Sequence, residues 1–213
     1  MKLIPVSAVR ELLRLDEIDR IDAAIEQCLH AATEQLAGLL RTSFDQVTTY
    51  DTFMLRTGLR FDAGELGGTR WHYRLALTRG LVTGTPTFLR AGTLAALAEA
   101  TDGLGEEVGV LVNSDKGSIL LDSATRLDGL FLRVSYTAGL AIAEGTLYDG
   151  VPEWLQQCAL AYGTTALLKS NPDLGGSNDK QASRDPKELM AQAKMIVEGH
   201  IRYFASTTRP LNF

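Results

Sequence analysis

Apolar residues recur at steps of three and four through Ile18, Ile21, Ile25, Cys28, Leu29, Ala32, Leu36 and Leu39. That spacing lays one stripe along a helix, with Glu26, Gln27, Glu34 and Gln35 mainly on other faces. The acidic run at Asp16–Asp19 favours a helix start through the helix dipole. A shorter helix, Ala8 to about Leu15, precedes it with Ser7 as its cap. Ala31 and Ala32 permit close approach of a second helix.

From Thr42 the period changes. Val47–Leu55 is rich in Thr, Tyr and Phe, and Trp71–Leu77 alternates in part. Val108–Val112 and Ser118–Leu121 flank Asn113-Ser114-Asp115-Lys116-Gly117, a polar loop of hairpin type. Gly129–Tyr136 alternates fully, with Leu130, Leu132, Val134 and Tyr136 on one face and Phe131, Arg133 and Ser135 on the other. Gly58, Gly64, Gly67, Gly68, Gly80 and Gly84 punctuate the connections. One short helix, Leu94–Ala100, is expected among the strands. The segment reads as an antiparallel sandwich or small barrel.

Helical spacing returns after Val151. Pro152 suits a first helical position, and Trp154, Leu155, Cys158, Ala159, Tyr162, Ala166 and Leu167 mark an amphipathic helix to about Lys169. Ser170–Arg184 is long for a connection within a bundle and reads as a mobile or contact loop. Asp185, Pro186 and Glu188 make a start signal for a last helix carrying Leu189, Ala193, Ile196, Val197, His200, Ile201 and Phe204. Thr207–Phe213 is a non-helical tail. The expected fold is α+β: a helical bundle from the N- and C-terminal helices (1–41 and 144–213) with a large inserted antiparallel β domain (42–143). Helical ends around a β insert suit a protein that docks to others.

Composition narrows the function. The chain has 213 residues, 45% hydrophobic and 22% charged, with a formal net charge of −5. That is ordinary for a globular protein and argues against broad nonspecific DNA binding through surface charge. Its two cysteines, Cys28 and Cys158, lie on apolar sides of helices and read as reduced buried thiols, with a disulfide as the alternative. The absence of a run of 18 apolar residues argues against a membrane-spanning helix. Arg10, Glu11 and Arg14 interrupt the apolar N-terminal stretch, so a soluble product made inside the cell is expected.

The chemistry expected of an enzyme is hard to assemble. The three histidines, His30, His72 and His200, lack zinc-ligand spacing and read as structural. Gly64–Thr69 lacks the lysine and strand–helix setting of a phosphate loop. Acid–base work needs two carboxylates at a set separation in a cleft, which sequence alone does not show for the pairs Asp16/Glu17, Glu106/Glu107 and Asp45/Asp51; the first reads as a helix start and the second as a solvated loop. No cofactor is expected. Two surfaces are left as candidates. Lys169, Lys180, Arg184 and Lys187 flank the long loop and form either a solvated face or a basic patch, diluted by Asp173, Asp179 and Asp185. In the tail, Thr207, Arg209, Pro210, Leu211 and Phe213 form either a frayed end or an arm that orders on a partner.

Val9-Arg10-Glu11-Leu12-Leu13-Arg14-Leu15-Asp16, followed by Ala31-Ala32-Thr33, opens the chain. Val134-Ser135-Tyr136-Thr137-Ala138-Gly139 and Val151-Pro152-Glu153-Trp154-Leu155-Gln156-Gln157-Cys158-Ala159-Leu160 form a second, more specific stretch. On these residues the chain resembles the phage head–tail connector (adaptor) proteins, over about half its length. The resemblance implies a ring, commonly of twelve subunits, docked beneath the portal protein, with tail or stopper proteins beyond. DNA would pass through the lumen without sequence-specific binding. It places the chain in the virion neck, assembled in the host cytoplasm. Compact members join their halves briefly, whereas about 100 residues intervene here, so the β insert takes no role from the resemblance. The rivals are a stopper or other tail-completion protein, a small cell-wall hydrolase using close carboxylates of the β domain, and a binding module unrelated to phages.

Overall fold

The computed structural model describes residues 1–15, 19–62, 68–143, 145–172, 174, 186–201 and 208–211. The fold is α+β, and the chain divides into two compact units. One joins Met1–Ser43 to Leu140–Ile201. The other joins Phe44–Gly139 to the C-terminal segment Arg202–Phe213.

In the helical unit, α1 spans Val6–Leu13 and α2 spans Asp19–Leu40. Pro5, extended at φ −73° and ψ 158°, precedes the first turn of α1, and no side chain caps it. Ser7 therefore lies inside the helix and is not its cap. The helix stops because Arg14 enters the left-handed region at φ 50°. The predicted stripe of α2 is buried at Ile25, Leu29, Ala32 and Leu36, while Leu39 is 38% exposed and Leu40 takes the buried place beside it. Asp16, Glu17 and Ile18 lie outside the described residues.

Helix α4 (Glu153–Ser170) packs against α1, α2 and the last helix, α5 (Pro186–His200). Its sequence reads as amphipathic, yet Leu155, Cys158, Ala159, Ala161, Tyr162, Gly163, Thr164 and Leu167 are all buried. Flanked by three helices, α4 has no wide solvent face. Small residues at 161 and 163 let neighbours approach: a Cβ at Gly163 would lie 2.7 Å from Leu29 Cδ2. Pro152 is the residue before α4 and not its first. Pro186 does open α5, burying Leu189, Ala193 and Val197; Asp185 lies outside the described residues.

The β unit holds two antiparallel sheets. One has the order β1 (Val47–Met54), β7 (Phe131–Ala138), β4 (Val82–Ala91). The other runs β2 (Leu59–Asp62), β3 (Thr69–Ala76), β6 (Ser118–Ser123), β5 (Val108–Asn113). Phe53, Val82, Leu132, Val134 and Tyr136 of the first sheet share one core with Tyr73, Leu75, Ile119 and Leu121 of the second. The alternation in β7 is therefore real, because every second side chain enters the core between the sheets. Helix α3 (Leu94–Leu97) is shorter than its alanine-rich sequence suggests; Thr93 Oγ1 accepts from Ala96 N at 3.2 Å.

Strands β2 and β4 are not apparent in the sequence pattern. Gly84 reads as loop punctuation, but it sits at φ 72° within β4, where the register with β7 shifts between Thr83 and Thr87. A bulge breaks the two-residue period that would have marked the strand. Gly139, which ends the β7 motif, adopts φ 93°, and a Cβ there would fall 2.3 Å from the Asp45 carbonyl oxygen. Only glycine leaves the sheet at that point without strain.

Candidate assembly surfaces

Asp51 and the three histidines, weighed for chemistry in the sequence, are engaged within the fold. Asp51 is 7% exposed. Its carboxylate accepts from Thr78 N at 2.5 Å, Thr78 Oγ1 at 2.6 Å and Tyr136 Oη at 2.8 Å. Arg79 N also donates to Tyr136 Oη at 3.2 Å. The cluster ties β1 and β7 to the turn that follows β3. A second cluster lies under the other sheet. Tyr73 Oη donates to Asp128 Oδ1 at 2.8 Å and accepts from Leu127 N at 2.7 Å. Burial, reinforced by the Asp128 carboxylate, pushes the Tyr73 phenol up to about 12. Burial pushes Asp128 upward too, but hydrogen bonds from Tyr73, Arg126 and the Gly58 N–H outweigh it and hold the carboxyl low.

The histidines sit in packed surroundings. His72 stacks on Phe61 with ring centroids 4.4 Å apart and lies 3.2 Å from Asp122 Oδ1. The Arg70 guanidinium, 2.7 Å from that oxygen, holds Asp122 below the usual carboxylate range. His200 stacks on Trp154 at 3.8 Å, and its Nδ1 is 2.8 Å from the Ile196 carbonyl. His30 Nδ1 is 2.8 Å from the Met1 amine. Both cysteines are free; Cys158 is buried, which pushes its thiol up to about 11, and Cys28 is half-buried. Among the described residues, no group of three or more His, Cys, Asp or Glu is placed to hold a metal ion. Among the same residues, no helix is long and apolar enough to cross a membrane.

The basic residues separate into two groups. Lys180 and Arg184 lie outside the described residues. Lys169, at the end of α4, and Lys187, in the first turn of α5, line one groove of about 460 Å³. Its walls include Leu168, Met190 and Ala191, and Lys194 adds a third ammonium. The spacing of Lys187 and Lys194, seven residues apart, is the sequence signal for that shared face.

Residues 208–211 of the tail are built onto the sheets. Thr208 makes a parallel bridge to Leu75: its N–H donates to the Arg74 carbonyl at 2.8 Å and its carbonyl accepts from Ala76 N at 3.1 Å. Leu211 N donates to the Thr52 carbonyl at 2.7 Å. The four residues 208–211 thus meet β3 in one sheet and β1 in the other. Arg209 is exposed, while Pro210 and Leu211 are half-buried. Thr207 and Phe213 lie outside the described residues.

No family model matches the chain, and no curated protein matches it. Among solved structures, a chain of "Neck of empty GTA particle computed with C6 symmetry" is similar over 97% of this chain and 93% of that one. The TM-score is 0.43 and the identity 17%, a level at which neither function nor partners transfer.

Proposed function

We propose that the chain is a structural protein of the neck of a tailed phage or phage-like particle, acting as the head-to-tail adaptor ring beneath the portal. One observation carries the reading. Val9–Leu15 and Val151–Leu160, which hold much of the connector resemblance, stand at opposite ends of the sequence, yet they supply α1 and α4 of one helical unit, with α2 packed against both. The β insert leaves that unit intact.

Function on this reading is assembly. Neighbouring copies, twelve in the common form of such rings, meet through unlike patches, as ring closure requires. A net charge of −5 suits a channel that neutralises few phosphates and lets DNA slide. The proposed contacts with the portal or a neighbour are the tail residues Thr207, Arg209, Pro210, Leu211 and Phe213, with Lys169, Lys180 and Arg184 at the end of α4 and beyond. Leu211 already spends its backbone N–H on Thr52, so its contribution falls to the side chain.

The test is co-sedimentation of the full chain with portal rings from its own particle. The chain should travel with the portal, and Lys169→Glu with Arg209→Glu should weaken that association. Failure of the unaltered chain to sediment with the portal would defeat the adaptor reading.

A further inference from the structure

The edges of the two sheets are treated unequally. Leu211 N bonds β1 at Thr52, and Thr208 bonds β3 at Arg74 and Ala76. Edge strand β4 carries Pro86 and a bulge, and its Arg90 N donates to the Asp102 carbonyl at 2.8 Å. These are the devices by which proteins blunt strand edges. Strand β5 has none. It reads Val-Gly-Val-Leu-Val-Asn, without charge or proline, and among the described residues no backbone group from another strand pairs with its outer edge. Val110 is 40% exposed and Leu111 67%.

The opposite edge strand of the same sheet, Leu-Arg-Phe-Asp, carries two apolar side chains in the open. In β2, Leu59 is 58% exposed and Phe61 51%. The register aligns Leu59 with His72 and Asp122, Phe61 with Arg70, and Leu111 with Leu120 and Arg74. Residues directly opposite one another share a face, so Leu59, Phe61 and Leu111 all stand on the face turned away from the core.

We propose that β5 of one copy pairs with β2 of a second copy, so that the four-stranded sheet continues from chain to chain. Each of its neighbouring strand pairs is antiparallel, so β2 and β5 run in opposite directions. Repeating the sheet by rotation therefore sets β5 antiparallel to the next β2. Leu111 then meets Leu59 and Phe61 of the neighbour on one face, and the uncharged β5 brings no like charge into the joint. A single contact covers the exposed apolar side chains of both edge strands, and it joins unlike patches. This goes beyond portal docking and needs only that copies of the chain meet.

Cysteine cross-linking of full-length variants tests it. Leu111→Cys and Phe61→Cys chains are purified separately, mixed and mildly oxidised. Thr48→Cys, exposed on the other sheet, reports random collision, and the unaltered chain reports Cys28 and Cys158. The mixture should form disulfide-linked dimer at least about tenfold faster than either variant alone or either with Thr48→Cys, because pairing raises the local thiol concentration. Adding Val110→Lys to the Leu111→Cys chain should suppress that dimer about tenfold, as a lysine on an edge strand opposes pairing. Mixed dimer no faster than the Thr48→Cys control overturns the proposal, as does Leu111→Cys linking to itself as fast as to Phe61→Cys. Portal-bound rings without this cross-link would overturn the strand joint and leave the adaptor reading standing; the cross-link without portal binding would do the reverse.

Discussion

Replacing Asp51 with alanine removes the acceptor of three hydrogen bonds at once, from Thr78 N, Thr78 Oγ1 and Tyr136 Oη. Thr78 is exposed, so its two donors regain water at modest cost. Tyr136 is 3% exposed, and its hydroxyl loses its carboxylate partner away from solvent. Hydrogen bonds to a charged group contribute about 1.5–3 kcal/mol. The carboxylate's own desolvation penalty disappears with it and offsets part of the loss. The net expectation is destabilisation by about 2–4 kcal/mol. For a unit of about 100 residues, about 4–5 °C of Tm accompanies each kcal/mol, so the transition of the β unit should fall by roughly 8–20 °C. Chemical denaturation followed by tryptophan fluorescence in a Trp154→Phe background, which leaves Trp71 to report on the β unit, is the assay, with each unit treated as its own transition. Tyr136→Phe should cost about 1–2 kcal/mol, and the double variant less than the sum, because both remove the same bond. Asp51→Ala costing under about 1 kcal/mol, or strict additivity with Tyr136→Phe, would refute the claim that this cluster fastens the sheets together.

Three further outcomes follow from the same structure. Gly139→Ala should destabilise the β unit by about 1–3 kcal/mol in a denaturant melt, since alanine would have to hold φ 93° against the Asp45 carbonyl. The Tyr73 phenol, raised to about 12, contributes stability that is complete below its unfolded value of 10.0 and is lost as pH rises through about 12; an ultraviolet titration of Tyr73→Phe should lose one late tyrosinate step, while Tyr162, also raised by burial, still ionises late. Asp122 has its folded value lowered by Arg70, so its contribution is present above the unfolded value of 3.8 and lost as pH falls through the folded one; Arg70→Ala should move the Asp122 carboxyl titration upward by NMR.

The helices were legible because burial repeats at their own period: the α2 stripe and the α5 face show in the sequence, though Leu39 and Leu40 exchange roles at the end of the stripe. Helix α4 shows in the sequence but reads as one-sided, since Ala161, Gly163 and Thr164 give no strong apolar signal and are buried because α2 and α5 flank them. Strand β7 was legible because it is central in its sheet, with one face in the core. Strand β4 was not, because Gly84, Pro86 and the bulge between Thr83 and Thr87 erase its alternation. Asp51 looked like half of an acidic pair, and nothing local predicts that Thr78 and Tyr136, distant in sequence, converge on it. The groove formed by Lys169, Lys187 and Lys194 was half visible, as a basic cluster whose third member comes from one helical face. The tail drew notice through Leu211, but its pairing with β1 and β3 depends on backbone groups that carry no sequence signature.

The most direct test of the adaptor reading is electron microscopy of the tagged chain purified together with the portal of its own particle. Closed rings stacked coaxially on the portal are the predicted result. A lone compact particle that ignores the portal at saturating concentration would contradict it.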